Sequence, residues 1–110
     1  MVTYKTEDLL IGVHHTRQVA LDADTYFRGQ RLALNGTQMC DIANGDAALC
    51  GVYLGIGDEA SEVLASGDVR TVIVGGELNA NGVVDDAGDP VVLTEAQKVA
   101  YQKLGFYFES

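Results

Sequence analysis

The chain has 110 residues, enough for one domain and too few for two ordinary ones. Seven Lys and Arg against 16 Asp and Glu give a net charge of −9, which disfavours duplex DNA, RNA and anionic lipid as partners. Hydrophobic residues make up 47 %, enough for a thin packed core and against wholesale disorder.

No apolar run approaches the ~20 residues of a membrane span, and the start Met1-Val2-Thr3-Tyr4-Lys5-Thr6-Glu7-Asp8 lacks the pattern of a signal peptide. The expected place of synthesis is a cytosol. Cys40 and Cys50 are too few for a disulfide framework and have no zinc spacing; free thiols are expected, and a bridge requires their strands to pair.

Residues 1–16 stand apart as an extended arm or a first edge strand, with the apolar knot Leu9-Leu10-Ile11 followed by Gly12 and His14-His15. Residues 17–110 read as one β-rich domain. Arg17 to Asp22 alternates, with Val19 and Leu21 on one face, and Asp22-Ala23-Asp24 makes a turn. Asn35-Gly36 between two alternating runs is a hairpin cue, because both turn residues accept positive φ. A loop of those two residues pairs Leu34 with Thr37 and Leu32 with Met39.

After a turn at 43–46, Ala47 to Leu54 is an unbroken apolar run expected to be a buried central strand. Residues 59–64 suit a helical turn or a loop. Val69 to Val74 is rich in β-branched residues and reads as a strand that Gly75-Gly76 ends or bulges. Asp85-Asp86-Ala87-Gly88-Asp89 is an acidic turn between short apolar patches. Thr94-Glu95-Ala96-Gln97 fits a helix-opening capping box, with Ala96, Val99, Ala100 and Leu104 as the apolar face and Gly105 as the stop. Phe106-Tyr107-Phe108 closes the chain as a strand.

Few chemical motifs emerge. Gly55-Ile56-Gly57-Asp58-Glu59-Ala60 follows a strand, and Glu77 lies about twenty residues on, which outlines a dinucleotide-binding unit. The helix such a unit needs would have to fit before Ala65, and Asp58 and Glu59 would meet the pyrophosphate. His14 and His15, adjacent in an extended strand, point to opposite faces and ligate poorly together. Asp22 with Asp24, and Asp85 with Asp86 and Asp89, lack the calcium-loop pattern and read as turn acids. No nucleophile elbow, phosphate loop or zinc-protease motif is present. No catalytic residue, cofactor or metal ligand is assigned.

From Tyr26 onward the features fall in a familiar order. They are Tyr26-Phe27-Arg28-Gly29-Gln30-Arg31-Leu32, then Ala47 to Leu54, then Val69 to Val74 with Gly76-Glu77-Leu78. Leu93-Thr94, the short helix and Leu104-Gly105-Phe106 complete the series. This order resembles the lambda-type head decoration proteins of tailed bacteriophages. Phe106 stands where that family usually has Ile, and the first residues lack an Ala- and Pro-rich arm.

The resemblance implies an α/β fold dominated by short strands and hairpins, β-tulip or barrel-like, with one C-terminal helix and an extended N-terminal arm. It implies a structural virion protein without enzymatic activity, made in the bacterial cytoplasm and carried on the outer capsid surface. Its partners would be the major capsid protein and two further copies of itself, with no nucleic acid and no membrane. Tyr4, Leu9, Leu10 and Ile11 would anchor the arm on the capsid; the other reading of Leu9-Leu10-Ile11 is an edge strand of the domain's own sheet. The alternative functions are a β-rich module for a small ligand or another protein, and a nucleotide-binding enzyme subunit using Gly55 to Ala60.

Overall fold

The computed structural model describes residues 10–45, 48–56 and 60–109. Eight strands and one helix account for most of them: β1 Leu10–Ala20, β2 Asp24–Phe27, β3 Arg31–Asn35, β4 Gln38–Asp41, β5 Gly51–Gly55, β6 Ser61–Leu64, β7 Val69–Asn79, α1 Glu95–Gln102 and β8 Phe106–Glu109. The larger sheet runs β1-β7-β5-β3-β4, antiparallel throughout, and β8 joins β7 in parallel beyond the end of β5. β2 and β6 form a second, two-stranded antiparallel sheet. Just past β1, Leu21 bridges Met39 and the Asp22 N–H donates to the Met39 carbonyl at 2.9 Å, so β4 curls back toward the end of β1. The domain is mostly β with one short C-terminal helix, as the sequence implies.

The centre of the larger sheet is buried on both faces. Val52 and Ile73 pack with Leu78, Val83, Leu93, Tyr101, Phe106 and Phe108 beneath the helix. Their neighbours Tyr53 and Val72 point the other way, into Leu21, Tyr26, Leu32, Met39 and Leu64. Two-sided burial explains why β5 reads as a continuous apolar run rather than an alternating one. The apolar run at 47–54 enters the sheet only at Gly51, where a Cβ would collide with a Val72 methyl.

Several local expectations hold and several need correcting. The 35–36 hairpin forms, but its register is Asn35 opposite Gln38 and Leu34 opposite Met39, not Leu34 opposite Thr37. Gly36 takes φ +65° while no non-glycine residue among the described residues has positive φ, so Gly36-Thr37 is the loop, as in a Gly-first type II′ turn. Residues 61–64 are a strand rather than a helical turn, because β2 offers them a hydrogen-bonded edge. Gly75 and Gly76 lie within β7, next to an irregularity in its pairing with β1. Asp46, Ala47 and the Gly57-Asp58-Glu59 part of the glycine motif lie outside the described residues.

α1 begins as the capping box requires. The Gln97 N–H donates to Thr94 Oγ1 at 3.1 Å, and the Thr94 N–H donates to Gln97 Oε1 at 2.9 Å. Gly105 at φ +94° ends it. The face turned inward is not the expected one: Ala96, Val99, Ala100 and Leu104 are exposed, and Tyr101 is the helix residue that reaches the core. The reason is size. One Tyr ring buries more apolar area than two alanines, and Tyr101 packs edge-on against Phe108 at 5.7 Å between centroids. Its hydroxyl accepts from Arg31 Nη1 at 2.8 Å.

Candidate interaction surface

β1 is an 11-residue strand at the border of the larger sheet, and β7 is its one strand partner among the described residues. It pairs from Leu10 opposite Leu78 to Ala20 opposite Val69, with register shifts between Leu10 and His14, where β1 has the extra residues, and between His15 and Thr16, where Val74 of β7 is extra. Gln18 Nε2 donates to Thr71 Oγ1 at 2.6 Å across the pair. His14, His15, Thr16, Arg17 and Gln18 are all exposed, so side chains of this stretch reach the surface on both faces. Edge strands that must not pair carry several charges or a Pro; residues 10–20 hold one full charge, Arg17, and no Pro.

Of the proposed arm residues, Leu10 and Ile11 lie in β1, where the backbone joins the sheet. Tyr4 and Leu9 lie outside the described residues. The strand thus runs straight through the expected arm boundary at residue 16.

Beside β1 a groove of about 450 Å³ opens over Gly75 and Gly76, bordered by His15, Glu77, Gly105 and Tyr107. The sequence reading missed Tyr107, whose alternation with the buried Phe106 and Phe108 in β8 places it outside.

The residues that carry the resemblance near the start of the domain build a buried polar junction. Arg28 Nε donates to the Leu54 carbonyl at 2.8 Å. Gln30 accepts from the Phe27 N–H at 3.0 Å and donates to Asp41 Oδ1 at 2.8 Å. Arg28, Gln30 and Asp41 are all buried, so these bonds replace water for groups that would otherwise be costly to enclose. Their work is to tie the β2–β3 turn to β4 and β5.

The strongest electrostatic cluster joins the two sheets. Glu62 Oε1 accepts from the Tyr53 hydroxyl at 2.9 Å and from Arg70 Nε at 3.0 Å. The Arg70 hydrogen bond holds the Glu62 carboxyl below its usual range, with the Tyr53 bond adding to it. Burial pushes the Tyr53 phenol well above its ordinary value, and the bond to Glu62 adds to this. Tyr26, stacked on Tyr53 at 5.4 Å between centroids, is raised chiefly by burial, then by Asp24 and Asp22.

The signs follow. Glu62 contributes stability above the ordinary Glu range that is lost as pH falls through its lowered folded value. Tyr26 and Tyr53 contribute stability below about pH 10 that is lost as pH rises beyond it, because the unfolded phenols ionise first. Urea midpoints measured across the alkaline range should therefore fall above about pH 10, and Tyr53→Phe should flatten that fall. An unchanged alkaline limb in the variant would show that Tyr53 is not the linked group.

The geometry also tests the dinucleotide outline. β5 and β7 are antiparallel, and the element between them is β6, which pairs with β2. A strand–helix–parallel-strand unit is therefore not formed around Gly55 to Ala60, and Gly55, at φ +83°, serves the irregular end of β5. The Asp85 carboxylate accepts from the Ala87 and Asp89 N–H groups, both at 2.9 Å, which shapes the acidic turn from within.

Comparison of the chain with models of known protein families, with curated proteins and with solved structures finds no match.

Proposed function

We propose that this chain is a phage head decoration protein of the lambda type. It cements the expanded capsid from outside, as groups of three around three-fold positions, and catalyses no reaction. The ordered series of motifs from Tyr26 to Phe106 carries the reading. The border position of β1, which has no second strand partner among the described residues, supports it physically: a free strand edge recognises another chain by main-chain hydrogen bonds, with side-chain pockets setting register. The charge of −9 keeps such a protein off packaged DNA.

The test is co-sedimentation of the purified chain with expanded, undecorated heads and with unexpanded heads of the virus that encodes it. Saturable binding to expanded heads alone is expected. Deleting residues 1–9, which leaves all of β1, should keep the domain folded and weaken binding by about tenfold or more, the scale of losing 1.4 kcal/mol of contact. Binding to neither shell would overturn the reading.

The groove at His15, Glu77 and Tyr107 favours one alternative, a small-ligand or protein-binding module. An imidazole, a carboxylate and a phenol around a groove lined by glycines suit a polar ligand. Binding at that groove with no affinity for heads would establish it.

A further inference from the structure

The outward face of α1 is apolar and unpartnered, and we propose that it docks a second copy of this chain through that copy's 85–92 turn, head to tail. Val99 and Leu104 are 51 % and 49 % exposed, and Ala96 and Ala100 are exposed beside them. Tyr107, 46 % exposed, lies next to the patch on β8: Val99, Gln102 and Tyr107 line one cleft of about 240 Å³ between helix and strand, which Glu95 and Glu109 also border. Lys103 follows α1 next to Val99 and Leu104. Its ammonium group is exposed and has no ion pair among the described residues, where the pairs are Arg70 with Glu62 and Lys98 with Glu95.

The Lys103–Leu104 end of the patch, an apolar side chain beside a cation with no ion pair among the described residues, fits a partner that is apolar and acidic together. The chain itself has such a surface. The turn Asp85 to Asp89 exposes the side chains of Asp86 and Asp89 and is followed by Pro90 and by Val92 at 91 % exposure. The turn is preformed: the Asp85 N–H donates to the Asp89 carbonyl at 2.9 Å, and Val84 bridges Pro90 behind it. Among the described residues, half of the eight exposed large hydrophobics, Val92, Val99, Leu104 and Tyr107, belong to these two surfaces.

One copy does not satisfy both surfaces by itself. Val92 lies with Lys98 beside the first half of α1, whereas Lys103 and Leu104 lie past its last turn. The contact is therefore between different patches of successive copies, the heterologous kind that closes into a ring when the rotation allows. The proposal rests on the self-association in the decoration reading and adds the surfaces that make it.

The test uses the full chain. Sedimentation equilibrium at moderate ionic strength should show the wild type associating with concentration. Val99→Glu with Leu104→Glu, Lys103→Glu alone, and Asp86→Lys with Asp89→Lys should each weaken association by about tenfold or more. Because the affected side chains are exposed, circular dichroism and Tm should stay near wild type. Mixing the Lys103→Glu chain with the Asp86→Lys, Asp89→Lys chain should restore association that neither shows alone. A wild type that stays monomeric throughout, a Val99→Glu, Leu104→Glu chain that associates as well as wild type, or a mixture that stays monomeric would each overturn the proposal. Head binding separates the two readings: a wild type that stays monomeric but binds heads keeps the capsid reading and removes this one, whereas association without head binding does the reverse.

Discussion

Replacing Gly29 by alanine is expected to destabilise the domain by about 3 kcal/mol or more, with a Tm loss on the order of 10–20 °C. Two effects add. Gly29 sits at φ +94°, where an L side chain is strained by about 1–2 kcal/mol. Its added Cβ would also lie inside the contact radius of the Gly82 carbonyl oxygen, with the Gly82 carbon at 3.2 Å behind it. Neither partner is free to retreat. The Gly29 N–H donates to the Tyr53 carbonyl at 2.9 Å, and its own carbonyl accepts from the Val84 N–H at 3.1 Å. Gly36→Ala isolates the first effect, because Gly36 has φ +65° and nothing within 4 Å of an added Cβ. It should cost about 1 kcal/mol. Equal losses in the two variants by urea titration would mean that the approach of the 80–82 turn to Gly29 is not tight.

Tyr101→Ala should cost about 3–5 kcal/mol, the range for truncating a buried aromatic. The ring fills the space between α1 and Phe108, and no other residue of the helix reaches the core. The loss also strands Arg31, whose Nη1 donates to the Tyr101 hydroxyl and whose buried Nε has no partner. Tyr101→Phe keeps the packing and removes the acceptor, so it should cost only about 1–2 kcal/mol. Hydrogen exchange gives the sharper check. In Tyr101→Ala the amides of α1 should open well before those of β5 and β7, because α1 loses its one buried anchor. Uniform loss of protection across both would show that the helix is held by more than this ring.

The start of α1 was legible because a capping box is complete within Thr94 to Gln97. Its orientation was not. The Ala96, Val99, Ala100 and Leu104 pattern looks like a buried stripe, yet a single Tyr with a distant Arg partner outweighed it. The 35–36 hairpin was visible from composition, but its register was displaced because Gly36 alone took positive φ. β6 was unreadable: Ser61 to Leu64 is a strand only because Asp24 to Phe27 lies beside it, more than a turn away in sequence. For the candidate surface, Leu10 and Ile11 were visible as an apolar edge, whereas Tyr107 and the groove over Gly75 and Gly76 needed β8 set against β7.

The sequence by itself determined the β-rich class, the strand at Val69 to Val74 and both ends of the helix. Each of these rests on backbone preference or on bonds closed within a few residues. Only the tertiary structure decided which faces are buried, how strands are paired and which way α1 turns. Those choices compare burial and hydrogen bonding between segments far apart in the chain, and no local pattern contains that comparison.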